Sequence, residues 1–466
     1  MSAPISTARG AWSLDPVLMM LVALAVAALL TWTVPSGAFQ RTPTGLVKPG
    51  TYVTIPKEIS AAGLLPHAPA PGNAEAFPAS PAAIFTSVPP GMVRAASLIF
   101  MITALGGMFG VLRATGTVEI AIERLVLITS GKTALLTVIL MVAISAGSTF
   151  LGLISEYLLI IPIFLVLSKR LGLEPMFGFA VVTVSAKIGY IASVANPVIL
   201  MVAQPIAGVP VFSGLLFRLG IWVVFMAAGI FYVMRFARTP TTGGAAPPMS
   251  STRMTARHGT IVALLGLSVA VLIYGATARG WKDVEFATYY LFMGGLIAAV
   301  AGLAPRRAVH SMIDGMKGMV LAGFLVGMAK GVEIILQAGL ILDTIVNFLA
   351  GWAAHLPHFV VGMALVVIEM FLGLLIPSGS AKAAVSMPIL VPIAGMSGVG
   401  GQATVIAYIL GNGLINMFAP TSGMLLAYLA TAEISYGKWF RFVLPLFIVL
   451  TVLALIAVSI AVFVHA

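Results

Sequence analysis

Cysteine is absent from the 466 residues, which excludes disulfides, thiolate metal sites and a cysteine nucleophile. Charge is scarce: Asp, Glu, Lys and Arg make up 8% of the chain and apolar residues 60%, and the mean hydropathy is +1.10. That balance excludes a soluble domain and points to a polytopic membrane protein. Histidine is limited to six residues, at 67, 258, 310, 355, 358 and 465, all assigned to loops, interfaces or the C-terminal end. No His-Glu-x-x-His motif occurs, so a zinc hydrolase of that type is excluded. A small-residue cleavage site is also missing after the first apolar run, Leu18–Thr33, which is therefore read as an uncleaved first span. The net charge of +11 comes from basic residues set between apolar segments and not from one soluble face. They are read as topology charges facing anionic lipid, and no nucleic-acid partner is expected.

Glycine (48) and proline (28) are plentiful, as in transporters whose helices break at membrane depth. The chain opens with a span at about Val17–Trp32 and a long loop from Pro35 to Gly91, with a strand-like piece at Tyr52–Ile55; residues 1–94 form this first unit. A span at Ala95–Leu112 and an amphipathic stretch at Val118–Ile128 follow. Residues 132–170 carry two apolar arms, each short of the roughly 20 residues a span needs, with basic residues at both ends. A re-entrant hairpin with its tip at Leu153–Glu156 explains both facts. Met176–Ile206 is too long for one span and is cut by Ser193-Val194-Ala195-Asn196-Pro197, which predicts one crossing made of two half-helices. Leu215–Met234 returns, closing a first repeat over 95–237.

A polar linker at 238–260 and two scaffold spans within 261–304 lead to a second repeat, 305–466. It has a span at Met319–Leu336, a second amphipathic piece at Leu340–Trp352, a hairpin over 357–396 and an overlong segment over 402–431 broken between Asn416 and Ser422; Phe442–Val464 ends it. The hairpin tip, Ile376-Pro377-Ser378-Gly379-Ser380-Ala381-Lys382, is a polar interruption between the apolar runs Phe359–Leu375 and Ala383–Met396. Non-helical backbone at membrane depth is tolerated only where it is buried or lines a wet cavity. Adding 223 takes Gly116 to Gly339, Ser193 to Asn416, Pro197 to Pro420, Gly214 to Gly437 and Arg218 to Arg441. Phe150-Leu151-Gly152-Leu153 reappears as Phe371-Leu372-Gly373-Leu374, two positions out of register. With the N-terminus inside, fifteen Lys and Arg fall on the inner side and seven on the outer, while Lys187, Lys330 and Lys382 lie at membrane depth. The copies then run in opposite orientation. The fold class expected is an all-α, inverted-repeat transporter with two re-entrant hairpins and two discontinuous helices, its substrate near the midplane.

The chain resembles the YfcC/DcuC family, the C4-dicarboxylate anaerobic carrier-like proteins of the ion transporter superfamily. The residues that carry the resemblance are Gly107-Met108-Phe109-Gly110, Ala195-Asn196-Pro197 with Ala203-Gln204, Ser213-Gly214 with Arg218, Gly339 with Asp343-Thr344, Ile376–Ser380, Met387–Leu390, Asn416 with Pro420-Thr421, and Lys438-Trp439. It implies an elevator-like motion, a homodimer and a substrate among dicarboxylates, short-chain fatty acids and basic amino acids. Against the family pattern, Ser155 replaces one of two adjacent acids, Lys382 replaces an amide, Asn412 stands where an acid is common, and Lys187 is an added cation. All four changes make the site more positive and favour an anionic substrate.

The expected substrate-binding set is Ser155, Glu156, Ser193, Asn196, Ser378, Gly379, Ser380, Lys382, Asn416, Thr421 and Ser422, with charge contacts from Lys187, Lys330 and Glu333. Intramembrane ionisable groups mark function or a paired structural role. Glu156 reads as a substrate or coupling-ion group or as a helix cap, and Lys187 as its ion-pair partner or a substrate contact. Lys330 and Glu333, three apart on one helix, can neutralise each other; Lys382 either faces substrate or snorkels outward. Asp343 and Glu433 read as caps or scaffold contacts. The hydroxyls and amides could alternatively do no more than repair the backbone at Pro197, Pro377 and Pro420. The expected function is secondary active transport of a small organic anion across the cytoplasmic membrane, with no cofactor beyond a coupling Na⁺ or H⁺. The alternative is a basic amino acid antiporter on the same fold. An intramembrane serine hydrolase using Ser378 or Ser380 is remote, since Lys382 is the sole candidate base. A passive channel is opposed by the paired hairpins.

Overall fold

The computed structural model describes residues 16–43, 46–57, 59, 76–118, 120–121, 124, 133–237 and 254–464. The chain is an all-α polytopic membrane protein in which, among the described residues, eight helices are long and apolar enough to cross a membrane. Most of the amphipathic stretch at 118–128 and most of the 238–260 linker lie outside the described residues.

Helix α1 (Pro16–Thr33) leads into a clasp of two short strands, β1 (Ser36–Ala38) and β2 (Val53–Ile55), paired antiparallel. The loop then becomes helical at α2 (Ala83–Thr86) and α3 (Val88–Arg94), earlier than the expected loop end at Gly91. Pro89 and Pro90 read as loop punctuation in the sequence, but they occupy the first turn of α3, where a missing N–H costs nothing. Next come α4 (Ala96–Thr115), α5 (Thr133–Leu151), a 3₁₀ turn at Ser155–Leu159, α6 (Ile161–Arg170), α7 (Pro175–Ala192), α8 (Pro197–Ile206) and α9 (Leu215–Ala237). The second half comprises α10 (Ala256–Ala278), α11 (Asp283–Ala301), α12 (Pro305–Lys317), α13 (Val320–Ala338), α14 (Leu342–Ala353), α15 (His358–Leu375), α16 (Gly379–Met396), α17 (Gly401–Asn416), α18 (Gly423–Thr431) and α19 (Tyr436–Val464). The amphipathic α12 has no counterpart in the expectation, which placed only Arg306 and Arg307 between two spans; its polar face lowered the hydropathy below a span signal.

The hairpins are α5–α6 and α15–α16, and the discontinuous helices are α7–α8 and α17–α18. α5 and α6 pack on α7, and α15 packs on α17; α7 and α17 cross each other, and α16 lies along α8. Segments α7 and α17 are almost wholly buried, which is why they read as unbroken apolar runs on either side of their breaks. The remaining layer is built on α4 against α11 and α12, with α13 against α1, α3 and α18. It is held by close backbone approach. A Cβ added at Gly315 would lie 2.1 Å from the Gly106 carbonyl oxygen, so glycine alone fits that crossing.

The strand clasp ties two parts together. Ser36 donates to Gly339 O (2.6 Å), Phe39 N–H to Asp343 Oδ2 (3.0 Å), and Arg41 makes an ion pair with Asp343 (2.9 Å), while Val47 N–H reaches Ala384 O in α16 (3.3 Å). Lys57 closes the base by donating to Thr31 O (2.6 Å) and Val34 O (2.5 Å) at the C-terminal end of α1, and burial pushes its pKa down to about 8.

Candidate functional site

The first break is pinned from two sides. Thr149, near the end of α5, accepts Val194 N–H at its hydroxyl (2.9 Å) and Ala195 N–H at its carbonyl (3.0 Å). The buried Arg218 of α9 donates through Nε (3.1 Å) and Nη2 (3.0 Å) to Val194 O, and through Nη1 to Ser213 O (2.6 Å). A cation at the C-terminal end of α7 answers the unmet carbonyls and the helix dipole together. Arg218 is fully buried because the broken helix supplies the acceptors that hold it.

Ser193 sits in the left-handed region (φ 41°) and spends its hydroxyl hydrogen on Tyr190 O (2.6 Å). Asn196 caps α8, its Oδ1 accepting Val198 N–H (3.0 Å), and Gly152 of the first tip (φ 73°) approaches that oxygen closely. The Asn196 Nδ2 group is buried and has no hydrogen-bond partner. That is a costly state for a donor unless something completes it.

The second break is satisfied differently. Trp439 Nε1 donates to Met417 O (3.1 Å), and Tyr436 OH donates to Phe418 O. Asn416 Nδ2 donates to Asn412 O (2.8 Å), Ser422 Oγ to Asn416 Oδ1 (3.2 Å), and Ser422 also caps α18. Asn412 Nδ2 continues the chain to Tyr190 OH (3.1 Å), beside Gly379 of the second tip. Tyr408 OH donates to Gly379 O (2.6 Å), and Ser378 caps α16. Thr421 Oγ1, one residue before the cap of α18, is likewise buried and unpartnered. The structure thus brings Ser193, Asn416, Ser422, Ser378 and Gly379 into one polar seam with Tyr190, Asn412 and Tyr408. Asn196 and Thr421 sit at the N-terminal ends of the two half-helices that continue from it.

Other expected residues fall elsewhere. Ser380 is exposed, and Ser155 lies in the 3₁₀ turn of the first tip. Glu156 accepts Ile154 N–H (2.8 Å) and lines an otherwise apolar cavity of about 500 Å³ shared with α5 and Leu272; Tyr428 OH of α18 donates to the adjacent Ile154 O. Lys187 does not pair with Glu156. Its ammonium is buried with Nζ 5.8 Å from the centre of the Tyr428 ring, a cation–π contact, because α7 points it at α18. Lys330 and Glu333 form an ion pair (2.8 Å); Glu333 lines a separate cavity of about 570 Å³ with Arg41, Asp343, Ile376 and Ala381.

The largest correction concerns Lys382. It is neither free nor snorkelling but fully buried, 3.0 Å from Glu369 Oε2 and donating to Glu369 O at 2.7 Å. Glu369 was missed altogether. A lone acid inside the run Phe359–Leu375, followed across the hairpin by a lone lysine, was the available signal. The excess positive charge inferred for the second tip is therefore cancelled by its own hairpin.

The chain is similar in sequence to two curated proteins, and solved structures give partial matches. A protein of unassigned function from Haemophilus influenzae (strain Rd) is 27% identical over 382 residues, covering 78% of this chain and 75% of that one. The Escherichia coli K12 protein YfcC, whose name carries a provisional assignment as a basic amino acid antiporter, is 28% identical over 375 residues and 74% of each chain. Among solved structures, the Alcanivorax borkumensis YdaH transporter gives a TM-score of 0.44 at 18% identity over 96% of this chain and 98% of its own. The Neisseria gonorrhoeae efflux pump MtrF gives 0.42 at 18% identity over 97% and 96%. The family described as DcuC, C4-dicarboxylate anaerobic carrier, matches residues 14–463. The chain belongs to the DcuC family and is a multi-pass membrane transporter, not an enzyme.

Proposed function

We propose that the protein is a secondary active transporter of a small carboxylate, working as a homodimer in the cytoplasmic membrane with its N-terminus inside. The observation that carries this reading is the pair of buried, unpartnered polar atoms, Asn196 Nδ2 and Thr421 Oγ1, at the starts of two half-helices. A half-helix N-terminus offers unpaired N–H groups and a positive dipole end, which suit a carboxylate. The family's description as a carrier of C4-dicarboxylates supports the same class. An elevator-like motion is supported by the packing of hairpins and broken helices on one another, with α18 touching α13 of the other, glycine-locked layer. The excess of inner basic residues supports the orientation.

A second reading, exchange of a basic amino acid, has its own observation. Glu156 has no cationic partner among the described residues, and Lys382 is neutralised by Glu369. Counterflow in proteoliposomes separates the two. Vesicles preloaded with succinate, fumarate, butyrate, glutamate, arginine or ornithine are scanned for stimulated uptake of the labelled compound. Stimulation by a carboxylate, reduced about tenfold in Asn196→Asp by the loss of one donor and the gain of one like charge, is the expected outcome. Stimulation by arginine or ornithine alone overturns the carboxylate reading in favour of exchange, and uptake without any exchange stimulation makes the protein a channel.

A further inference from the structure

The buried pair Lys382–Glu369 is not required by the fold. The register that maps Phe150-Leu151-Gly152-Leu153 on Phe371–Leu374 places Ser148 opposite Glu369 and Ile161 opposite Lys382. The packing agrees: Gly189 of α7 meets Ser145, Ser148 and Thr149, and Gly411 of α17 meets Val366, Glu369 and Met370 at the matching positions. At these two matched positions the first hairpin carries no charge and the second carries two.

The charged version is also incompletely satisfied. Both carboxylate oxygens of Glu369 lack a well-aligned hydrogen-bond donor, although Lys382 Nζ lies 3.0 Å away. The ammonium has more support than its partner: it donates to Glu369 O and lies 5.4 Å from the Tyr408 ring centre. Removing the negative charge therefore leaves the lysine held, while removing the positive charge would leave the carboxylate with nothing. Of the two, Glu369 is the one whose loss of charge leaves its partner with a hydrogen bond and a ring contact.

We propose that Glu369 is the proton-binding group that couples this transporter to H⁺, and that its protonation unmasks Lys382 for the carboxylate of the substrate. This rests on the carboxylate reading above. The step is a single proton transfer from water to a Glu369 carboxylate oxygen, with no other bond made or broken. The pair gains one positive charge, and one substrate carboxylate bound there offsets it, so the bound carboxylate is not left uncompensated in apolar surroundings. By linkage, proton and anion strengthen each other's binding equally.

The groups around the pair leave it this role. Tyr408 of α17 faces it directly, and beyond Tyr408 lies Tyr190 of α7, bonded to Asn412. α8 and the rest of α17 carry no charged residue. On α14, Asp343 is tied to Arg41, and on α13, Lys330 and Glu333 are tied to each other. α19 presents Tyr436, spent on Phe418 O, with Lys438 and Arg441 in its first turns.

The test uses the full chain in proteoliposomes with labelled succinate as probe, a trapped pH dye, and infrared difference spectra on a pH jump. In the wild type, succinate entry is accompanied by proton entry, and a carboxylic acid C=O band appears on acidification. In Glu369→Gln the band is lost, and the ratio of pH-driven accumulation to counterflow falls about tenfold, within the range of ordinary coupling energies. A ratio kept within about twofold of wild type, well inside that range, overturns the proposal. So does a wild-type spectrum without the band, whatever succinate does. Counterflow absent for every carboxylate in the wild type overturns the transport reading instead, and the infrared spectrum still decides proton binding. Should Glu369→Gln aggregate, Glu369→Met with Lys382→Met replaces it, and pH-driven accumulation retained in that double variant overturns the proposal.

Discussion

The two repeats solve one problem with different chemistry. Each must end a half-helix inside the protein and find donors for the carbonyls left over. In the first repeat the answer at Val194 O is a guanidinium from α9, and in the second the answer at Met417 O is an indole from α19. Those two carbonyls are 223 residues apart, the offset of the repeat itself. The hairpins diverge in the opposite sense, neutral in the first repeat at Ser148 and charged in the second at Glu369 and Lys382. Duplicated backbone thus fixes where polarity is needed, and leaves open which group supplies it and with what charge.

Removing one side of the charged hairpin is expected to break this comparison most severely. Lys382→Met strands a buried carboxylate and costs about 3–5 kcal/mol, whereas the double replacement by methionines is near neutral. Thermal unfolding in detergent, with the single and double variants side by side, checks the non-additivity. A single variant as stable as wild type would show that Glu369 already carries a proton there.

Arg218→Met should come next, at about 2–3 kcal/mol, because two buried carbonyls lose a charged donor. Trp439→Phe, its counterpart, loses one neutral hydrogen bond and should cost about 1 kcal/mol. Equal losses in the two unfolding curves would mean that the guanidinium's charge adds nothing at α7.

Thr149→Val keeps the shape but removes the hydroxyl that accepts Val194 N–H, and about 1–2 kcal/mol is expected. Hydrogen exchange at residues 194–198 gives a local reading of the same loss. The smallest effect belongs to Lys330→Met, whose partly exposed ion pair is worth about 1 kcal/mol or less; a larger drop would make Lys330 part of the core after all.

Much of this architecture was legible because membrane helices advertise their interruptions. The tip at 376–382 and the breaks at 193–197 and 416–422 stood out as Gly, Pro, Ser and Asn in apolar surroundings, and the tip at 153–156 followed from two apolar arms too short to span. The strand at Val53–Ile55 was legible as a β-branched run inside a Pro- and Gly-rich loop. The start of α3 was not, because proline signals a turn and a helix's first turn equally. Pairings were the least legible. Tyr190 meets Asn412 across 222 residues and Arg218 meets Val194 across 24, and neither periodicity nor composition reports which acceptor a buried donor will face. Glu369 escaped because one acid in eighteen residues hardly alters the hydropathy of α15.

The strand clasp sets a mechanical condition on the second hairpin. One end of it is riveted to α14 by the Asp343 ion pair and to the turn before α14 by the Ser36 bond, while among the described residues its hydrogen bond to α16 is Val47 to Ala384. A single such bond is worth about 1 kcal/mol, close to thermal energy. In the proposed elevator-like motion the clasp therefore adds about one such bond to the cost of moving the second hairpin, and it is expected to stay with α14.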